Sequence, residues 1–391
     1  MSYTFLSAPS RKIPLRGRKN DIDTMKKPNN FLFRLLSLPA SWLYGLAVGL
    51  RNWMFDQNLL KSEKYRIPII AVGNITVGGT GKTPHVEFVL RTLSPMWNTA
   101  MISRGYKRLT KGLVVASDDT DASAIGDEPM QIHRKFPDVT VVVDANRRHA
   151  IEYLLSNPPK NRPVDAFVLD DAYQHRYVEP GINILLIDYN RPLHEDHLLP
   201  HGQLREPIAN TARANIVIVT KCPKTATPID YRIITKRLNL PPYQSLFFSQ
   251  IHYLPLLPAF DSTLPLSHTE DEEALLFTGI ETQADMVDHL QSLFARVRTL
   301  PFEDHHNFSA EDLQSLADSP ESYIITTEKD VSRLYAIKDV PTSLKERLYI
   351  LPIEIKILDG REEQLKKHLL DYVKKNTTNN RISQTKITFR S

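Results

Sequence analysis

The residues with the clearest chemical potential form a glycine-rich loop. Four of the 14 glycines fall within the nine residues from Gly73 to Gly81, and Lys82 and Thr83 follow directly. Glycines let successive backbone N–H groups converge on an anion, and a helix beginning at the lysine adds a favourable dipole. In such loops the lysine contacts the β- and γ-phosphates of ATP, and the hydroxyl completes a Mg²⁺ shell. The candidate nucleotide ligands, of which Thr83 also serves Mg²⁺, are Gly78, Gly79, Thr80, Gly81, Lys82 and Thr83.

The loop departs from the most common phosphate-binding pattern. In G-x-x-x-x-G-K-[ST] the first glycine would fall at position 76, which is threonine here. The segment from Val77 to Thr83 is closer to the variant K-G-G-T-G-K-T, with Val77 in place of the leading lysine. A structural glycine turn is the alternative. An apolar strand at Ile67 to Val72 precedes the loop and a helical apolar spacing follows it, and this context favours phosphate binding.

Two pairs of adjacent carboxylates follow the loop along the sequence. Asp170 and Asp171 end an apolar strand, and acids at the carboxyl edge of a parallel sheet face the ligand crevice. One of them is well placed to meet Mg²⁺, and an acidic cap of the strand is the alternative. Asp127 and Glu128 stand at a predicted helix start, where simple capping is the more frequent reason for adjacent acids.

Histidines and arginines supply further candidates. His305 and His306 follow Asp304, but with one carboxylate and no cysteine nearby they are a weak zinc signal. A histidine can instead partner a carboxylate base that deprotonates a substrate hydroxyl. Gln174, His175 and Arg176 follow the Asp170 strand and could complete a site there. Four further arginines could each clamp a phosphate, although a single arginine is more often a surface residue. They are Arg104, Arg147, Arg148 and Arg205, the last in a turn-rich loop.

Alternating strands and helices must position these residues. Continuous Val/Ile/Leu runs suit a parallel sheet covered on both faces, so we predict an α/β fold with a P-loop-type sheet domain and a second, smaller α/β domain. The predicted strands of the first domain after the loop are Leu113–Ala116, Val139–Val143, Ala166–Leu169, Ile182–Ile187 and Ile216–Thr220. Those of the second domain are Leu275–Phe277, Val297–Leu300, Tyr323–Thr326 and Leu348–Leu351.

Composition and chain pattern set the domain boundaries. A length of 391 residues predicts two domains, which we assign to residues 57–225 and 226–372 because prolines cluster between them. Residues 1–30 are predicted to be a mobile basic arm, and residues 373–391 a solvated basic tail. A single cysteine excludes a disulfide scaffold and multi-cysteine zinc sites. The net charge of +4 suits an anionic ligand or membrane surface and does not by itself indicate nucleic acid.

Residues 31–56 contain a run of 16 residues without a charge, Leu35 to Leu50. This run is shorter than the roughly 18–20 residues that span a bilayer, and Pro39 interrupts it. Beyond the proline, large apolar residues recur at helical spacing from Trp42 to Met54. An interfacial membrane helix is one interpretation. A helix packed on the core or on a second copy of the chain is the other, and the basic arm favours the membrane.

An ordered set of motifs resembles the tetraacyldisaccharide 4′-kinases of lipid A biosynthesis. Each motif alone is modest evidence, but the set in this order is specific and spans residues 72–330. The matching segments are Val72–Pro84, Ser103–Tyr106, Gly126–Pro129, Leu169–Arg176, Gly202–Pro207, Asp304–Phe308 and Thr326–Asp330.

This resemblance implies transfer of the γ-phosphoryl of ATP to the 4′-hydroxyl of a tetraacylated glucosamine disaccharide 1-phosphate, which forms lipid IV-A. It implies an active site in a cleft between two α/β domains and work at the cytoplasmic face of the bacterial inner membrane, with no nucleic-acid partner. Asp127 would be the base, aided by His305, with Lys82 on the phosphates. Thr83, Glu128 and Asp171 would serve Mg²⁺. The candidates for the acceptor are Tyr106, Asp170, Gln174, Arg205 and Glu206.

Two other classes of function fit parts of the pattern. A P-loop nucleotide switch or metallochaperone uses the same variant loop, and it would hydrolyse nucleotide slowly with Asp127 and His305 dispensable. A soluble sugar or nucleoside kinase would need no membrane contact, and the segment 31–56 would not affect its partition into membranes.

Overall fold

Two sheets with flanking helices make up the protein in the computed structural model, which describes residues 31–260, 262, 266, 269–280 and 283–388. Side chains are described within these ranges except at residues 31–36, 160 and 378–388. The predicted basic arm, residues 1–30, lies outside the described residues.

The strands of the described residues in chain order are β1 (Ile69–Asn74), β2 (Thr99–Ser103), β3 (Val114–Val115), β4 (Thr140–Val143), β5 (Ala166–Asp170), β6 (Ile182–Asp188), β7 (Ile216–Thr220), β8 (Ser245–Tyr253), β9 (Leu257–Pro258), β10 (Glu273–Thr278), β11 (Arg296–Pro301), β12 (Tyr323–Thr327), β13 (Leu348–Leu351) and β14 (Ile353–Ile357). The α-helices are α1 (Phe31–Asp56), α2 (Lys82–Leu93), α3 (Ala122–Ile125), α4 (Asp127–Lys135), α5 (Arg147–Ser156), α6 (Pro228–Leu238), α7 (Ala284–Gln291), α8 (Ala310–Ala317), α9 (Glu328–Leu334), α10 (Thr342–Lys345) and α11 (Glu362–Thr388).

The larger sheet has the strand order β14-β8-β7-β6-β1-β5-β2-β4-β3. Its central strands pair in parallel, and only the outermost pairs, β14 with β8 and β3 with β4, are antiparallel. All residues of β1, β2, β5, β6 and β7 are buried, because helices cover both faces of the sheet. Burial on both faces explains why these strands are continuous apolar runs in the sequence. The predicted α/β fold class is confirmed.

The smaller sheet has the order β11-β10-β12-β13-β9 and is parallel except where β9 pairs with β13. Its core is separate from that of the larger sheet and is built around Leu275, Phe277, Leu316 and Ile324. A second core on the other face includes Leu276 and Tyr349. A second, smaller α/β unit is therefore present, as the sequence predicts.

The division of the chain between the sheets differs from the predicted boundary at residues 225 and 226. Strand β8 extends the larger sheet, the chain then forms the smaller sheet from β9 to β13, and β14 returns to pair with β8. The strands β14 and β8 are far apart in the sequence, so the prolines used to predict the boundary do not indicate that they pair.

Helix α11 runs through the segment predicted to be a solvated tail from residue 373. Leu365, Leu369 and Val373 are fully buried against the larger sheet at a spacing of four residues. Leu370 and Tyr372 are partly buried against the same core. The sequence after Val373 is rich in Lys, Asn and Thr, so its composition alone does not indicate that this helix continues. The helix continues to Thr388.

Helix α1 covers the predicted segment 31–56 and contains Pro39 within it. No helix in the described part of the chain combines the length and apolar character required to cross a bilayer.

Candidate active site

The glycine loop lies between the end of β1 and the start of α2, at the carboxyl edge of the larger sheet. Gly81 caps α2 with a backbone φ of +79°, a conformation that glycine adopts without strain. The Thr80 side chain is fully buried and accepts a hydrogen bond from Asn74 Nδ2 at 2.8 Å. Thr80 therefore fixes the loop from inside, while Lys82 and Thr83 open α2 and are only partly buried.

Asp171 connects the loop to the sheet edge. Its carboxylate lies 3.8 Å from Lys82 Nζ and 3.2 Å from Arg205 Nη1. Burial opposes ionisation, but Lys82 and Arg205 outweigh it and lower the pKa of Asp171. Its backbone has a φ of +44°, and such strain in a residue other than glycine is concentrated at functional sites. Lys82, Asp171 and Arg205, all predicted site residues, are therefore in one cluster.

Asp170 is the more isolated of the two adjacent acids. Ser103 donates a hydrogen bond to its Oδ2 at 3.1 Å, while its buried Oδ1 has no hydrogen-bond partner. Burial, and then the charge of Asp171, raise the pKa of Asp170 to about 6. Lys82 and Glu128 act on the same carboxyl group. The loop and both pairs of acids therefore meet at one edge of the sheet.

Asp127 and His305 form a hydrogen-bonded pair across the two α/β units. The distance from His305 Nδ1 to Asp127 Oδ2 is 2.5 Å, and Arg333 Nη2 also lies 2.5 Å from that oxygen. Burial opposes ionisation of Asp127, but the bonds from His305 and Arg333 prevail and lower its pKa to about 2. The Asp127 carboxylate is therefore charged throughout the physiological range.

The start of a helix in the larger unit and the loop after a strand of the smaller sheet supply this pair. Asp127 begins α4 after Gly126, His305 follows β11, and Arg333 lies on α9 directly after β12. His305 has a φ of +65°, a second strained backbone at the site. The ring of Tyr106, an exposed side chain, meets the ring of His305 edge to face at 5.7 Å between centroids.

Cations of α9 also meet the second acid of α4. Lys329 Nζ lies 3.6 Å from Glu128 and 2.6 Å from Asp304. Lys135, at the end of α4, contacts Glu87 and Glu328 at 2.7 Å each. The two helices thus place opposite charges against each other between the two sheets.

Two predicted acceptor residues take part in bonds within the protein. Gln174 donates its side-chain amide to the Asn74 carbonyl at 2.7 Å, next to the loop. Glu206 is 2% exposed and contacts Arg213 at 2.8 Å and Asn52 of α1 at 3.3 Å. In this arrangement both side chains connect elements around the site.

Four arginines lie near His175, and all of them except Arg51 are positions that the sequence indicates as possible phosphate clamps. Burial, and then the charges of the arginines, lower the pKa of His175 to about 4. One of them, Arg147, is buried and donates to the Asp170 carbonyl at 3.3 Å. The cationic neighbours of His175 are Arg51, Arg104, Arg147 and Arg148.

Arg333 and Lys329 were also missed as site residues. The motif Thr326–Asp330 marks the start of α9, and it contains Lys329. Arg333 lies one helical turn beyond Lys329, on the same side of α9. Extending the motif by a turn would have found it.

The acids present fit a magnesium ion bound with a nucleotide. Mg²⁺ takes oxygen ligands, usually one or two carboxylates with phosphate oxygens and water. Within the described ranges, no group of three or more His, Cys, Asp and Glu side chains is arranged to hold a metal ion. The buried, unpartnered Oδ1 of Asp170 nevertheless supplies the kind of oxygen that a cation shared with phosphates requires.

Comparisons with known proteins agree with this geometry. Residues 33–374 match the family model described as tetraacyldisaccharide-1-P 4′-kinase, LpxK. The tetraacyldisaccharide 4′-kinase of Bacteroides thetaiotaomicron is 46% identical over 362 residues, covering 88% of this chain and 95% of the relative. That of Porphyromonas gingivalis is 43% identical over 345 residues, covering 86% and 96%.

A solved structure supports the same relationship. LpxK from Aquifex aeolicus, crystallised in complex with ATP, matches with a TM-score of 0.68 and 28% sequence identity. The match covers 87% of this chain and 99% of that one. With the family match over most of its length and relatives above 40% identity, the chain belongs to the tetraacyldisaccharide-1-P 4′-kinase family.

Proposed function

We propose that the protein transfers the γ-phosphoryl group of ATP to the 4′-hydroxyl of a tetraacylated glucosamine disaccharide 1-phosphate. The observation that carries this proposal is the Asp127–His305 pair, which joins the two α/β units beside the Lys82 loop. Phosphoryl transfer depends on positioning and charge neutralisation, and a sugar hydroxyl also needs a proton acceptor. The loop and the pair supply these two requirements.

The glycine loop and Lys82 bind the phosphates of ATP in this proposal. Backbone N–H groups from Gly78 to Thr83 face the phosphates, and Lys82 Nζ contacts the terminal oxygens. Mg²⁺ neutralises phosphate charge when bound. Thr83, Glu128 and the Asp170–Asp171 pair are the residues that would hold it, and the unpartnered Asp170 Oδ1 supports this assignment.

Asp127 and His305 accept the proton of the acceptor hydroxyl. Asp127, with a pKa of about 2, holds the hydroxyl as a charged hydrogen-bond acceptor. His305 shares the proton, since its ring is bonded to the same carboxylate at 2.5 Å. Arg333 keeps the carboxylate ionised and oriented. Tyr106 contacts the histidine ring edge to face, and it is exposed so that it can contact the sugar.

The acceptor carries a 1-phosphate, and the arginines around His175 suit an anion. Arg147 lies beside Asp170, and Arg51 of α1 donates to the Gln174 carbonyl at 3.2 Å. Arginine forks recognise phosphate through paired N–H donors. We assign the less buried members of this group, Arg51, Arg104 and Arg148, together with Arg205, to the headgroup of the acceptor. Arg147 is buried and donates to backbone carbonyls, so it supports the site from within.

Helix α1 is the proposed membrane contact. Its outward face is apolar, with Trp42 70% exposed and Leu43, Leu46, Leu50 and Trp53 each more than half exposed. On the inward face, polar side chains bond to the rest of the protein: Ser41 donates to the Leu198 carbonyl at 2.8 Å, and Tyr44 donates to the Arg205 carbonyl at 2.9 Å. A helix that pairs its polar side chains with the protein and exposes its apolar ones suits an interface with lipid.

The Tyr44 bond also ties this helix to Arg205, beside the nucleotide loop. An acceptor held in the bilayer by its acyl chains would therefore reach the site along α1. We propose a peripheral or monotopic enzyme at the cytoplasmic face of the bacterial inner membrane.

The test is an assay of the purified protein with ATP, Mg²⁺ and the acylated disaccharide 1-phosphate in mixed micelles. We expect one added phosphate on the acceptor and loss of transfer in Lys82→Ala. Slow ATP hydrolysis without acceptor phosphorylation, unchanged by Asp127→Asn, would instead match a nucleotide switch.

A further inference from the structure

Arg191 lies against the side of the glycine loop that carries its carbonyl groups. Its Nη1 is 3.2 Å from the Val77 carbonyl oxygen, and its Nη2 is 3.4 Å from the Gly79 carbonyl oxygen. A Cβ atom built on Gly78, which has a φ of +91°, would come within 2.8 Å of Nη1. One guanidinium group therefore spans the loop at Gly78, and only glycine allows it to approach so closely.

This contact fixes the orientation of two peptide groups. In a trans peptide the C=O and N–H bonds point in opposite directions. Because the Val77 carbonyl points at Arg191, the N–H group of Gly78 points away from it. The Gly79 carbonyl has the same relation to the N–H group of Thr80. Both N–H groups are thus turned toward the opposite side of the loop.

Arg191 is itself held by buried and polar partners. Its Nη2 lies 3.3 Å from Oδ2 of Asp188, a buried acid at the carboxyl end of β6, and its Nη1 donates to Gln203 Oε1 at 3.2 Å. Lys221 lies 3.1 Å from the same Asp188 oxygen. A guanidinium with partners on several sides has a fixed position, which a flexible surface arginine lacks.

We propose that Arg191 is a positioning residue for the nucleotide loop. It holds the Val77–Gly78 and Gly79–Thr80 peptide groups with the N–H groups of Gly78 and Thr80 toward the ATP phosphates, so these groups do not have to reorganise when ATP binds. It also brings a positive charge from within the chain beside Val77, where the variant loop has a lysine. This inference rests on the proposed role of the loop in binding ATP.

Steady-state kinetics of Arg191→Met and Arg191→Lys test the inference. We expect the KM for ATP to rise about ten-fold in Arg191→Met, the effect of losing one or two charged hydrogen bonds. A lysine keeps the charge but cannot span both carbonyls, so Arg191→Lys should show a smaller rise. The KM for the acceptor should stay unchanged, and adenosine, which has no phosphates, should bind all variants equally.

Arg361→Lys is the matched control. Arg361 also donates to a backbone carbonyl, that of Leu246 at 2.7 Å, and to a glutamine Oε1, that of Gln364 at 2.8 Å. Arg361 makes these contacts away from the loop. The KM of the Arg361→Lys variant for ATP should therefore equal that of the wild type. Thermal unfolding of every variant separates a loss of fold from a loss of ATP affinity, and Arg191→Lys carries the test if Arg191→Met does not fold.

An unchanged KM for ATP in Arg191→Met would overturn the inference, as would an equal rise for ATP and adenosine. The Lys82→Ala variant distinguishes this failure from failure of the proposed function. If Lys82→Ala loses phosphoryl transfer while Arg191→Met behaves as wild type, only the role of Arg191 is wrong.

Discussion

Asp170 and Asp171 are neighbours in the chain with opposite electrostatic environments. Burial raises the pKa of Asp170 to about 6, whereas Lys82 and Arg205 overcome burial and lower the pKa of Asp171. The first carboxylate is costly to ionise in the nucleotide-free protein, and the second is stabilised as an ion. A carboxylate that will bind a cation is expected to lack a full set of partners until the cation arrives, and Asp170 has this property.

Asp170→Asn should stabilise the nucleotide-free protein while it abolishes activity. The pKa of Asp170 is higher in the folded protein than in the unfolded chain, so the fold loses stability as the pH rises from 3.8 to about 6 and bears the full cost above that pH. A shift of this size corresponds to about 3 kcal/mol. Thermal unfolding at pH 8 should therefore show a higher midpoint for the variant, and the gain should shrink at pH 5, where the wild-type carboxyl is largely protonated.

Asp171→Asn is the control, and it should have the opposite effect on stability. The variant loses the ion pairs with Lys82 and Arg205, so its unfolding midpoint should fall at pH 8. Two results would contradict the pKa shifts assigned to these carboxyl groups. One is a higher unfolding midpoint in Asp171→Asn, and the other is a rise in the midpoint of Asp170→Asn that is equal at pH 5 and pH 8.

The double variant Asp127→Asn/His305→Gln should be little slower than either single variant. The two side chains share one hydrogen bond and act on one proton, so removing either disables the pair. Each single change should lower kcat by about 10²–10⁴-fold, the range of general base catalysis, with the KM for ATP near that of the wild type. Kinetics of the three variants decide this, and multiplicative losses would show that the residues act separately.

At the residue scale, the sequence indicates candidate residues more readily than the contacts that these residues make. Short motifs, which are local patterns, indicate Lys82 and Asp171 as predicted site residues, and the family resemblance adds Asp127 and His305. Arg191 was missed because a lone arginine carries no sign in the sequence of the backbone carbonyls that it bonds. Its partners lie 114 and 112 residues away in the chain.

At the scale of the element, helix α1 turns buried polar side chains and Phe55 inward and large apolar side chains outward. Asn52 reaches the buried Glu206, and Arg176 donates to the Asn52 carbonyl at 2.9 Å, so polar bonds attach the helix to the site. The apolar periodicity of the sequence predicts the helix and its stripe. The periodicity does not show whether this apolar stripe packs on the core or faces solvent, because both arrangements have the same spacing of apolar residues.

Replacing Trp42, Leu46 and Leu50 together by serine should weaken binding to vesicles of anionic phospholipid at least about ten-fold. The three side chains are more than half exposed, so the fold should not depend on them, and the apolar area available to lipid falls. Vesicle flotation measures the binding, and thermal unfolding checks the fold.

The control is the double variant Ile229→Ser/Ile233→Ser on helix α6. The side chains of Ile229 and Ile233 are 67% and 44% exposed. Vesicle binding by this variant should match the wild type. Equal losses in both variants would show a general effect of surface hydrophobicity, and no loss in the α1 variant would exclude α1 as the membrane contact.

Strands were predicted where apolar runs are continuous and missed where they are not. The central strands β1, β5, β6 and β7 were found because burial on both faces requires apolar residues throughout. Strand β14 alternates apolar and charged residues at the sheet edge, and β2 has threonine and serine at its ends. Only pairing with neighbouring strands identifies such segments, and that pairing is non-local.

For the whole molecule, ion pairs between α4 and α9 connect the two α/β units. Lys135 contacts Glu87 on α2 and Glu328 on α9 at 2.7 Å each, and Glu87 is 1% exposed. The pairs Asp127–Arg333 and Glu128–Lys329 cross the same boundary. The unit that carries the glycine loop is therefore joined to the unit that carries His305 through ion pairs at and next to the Asp127–His305 pair.

Lys135→Met should destabilise the protein by about 2 kcal/mol, since a buried carboxylate loses its charged partner. Burial raises the pKa of Glu87, and Lys135 opposes that rise, so the pKa should climb further in the variant. The loss of stability should accordingly be largest at high pH and shrink as the carboxyl group protonates. Denaturant unfolding at pH 5 and pH 8 measures this, and Lys135→Arg should retain most of the stability. A pH-independent loss would contradict the assignment.

The existence of two α/β units could be predicted from the sequence, but not the path of the chain between them. The return of β14 to β8 and the burial of α11 depend on contacts between distant segments. The same limit applies to the site, because Asp127 and His305 are 178 residues apart. The motif order indicates that they work together, and the facing sheet edges bring them into contact.

The most direct measurement is the transfer of phosphate from γ-labelled ATP to the tetraacylated disaccharide 1-phosphate, compared between wild type, Lys82→Ala and Asp127→Asn. Wild type should add one labelled phosphate at the 4′-position. Lys82→Ala should lose transfer together with ATP affinity, and Asp127→Asn should lose transfer while it still binds ATP. An Asp127→Asn protein that labels the acceptor at the wild-type rate would contradict the account.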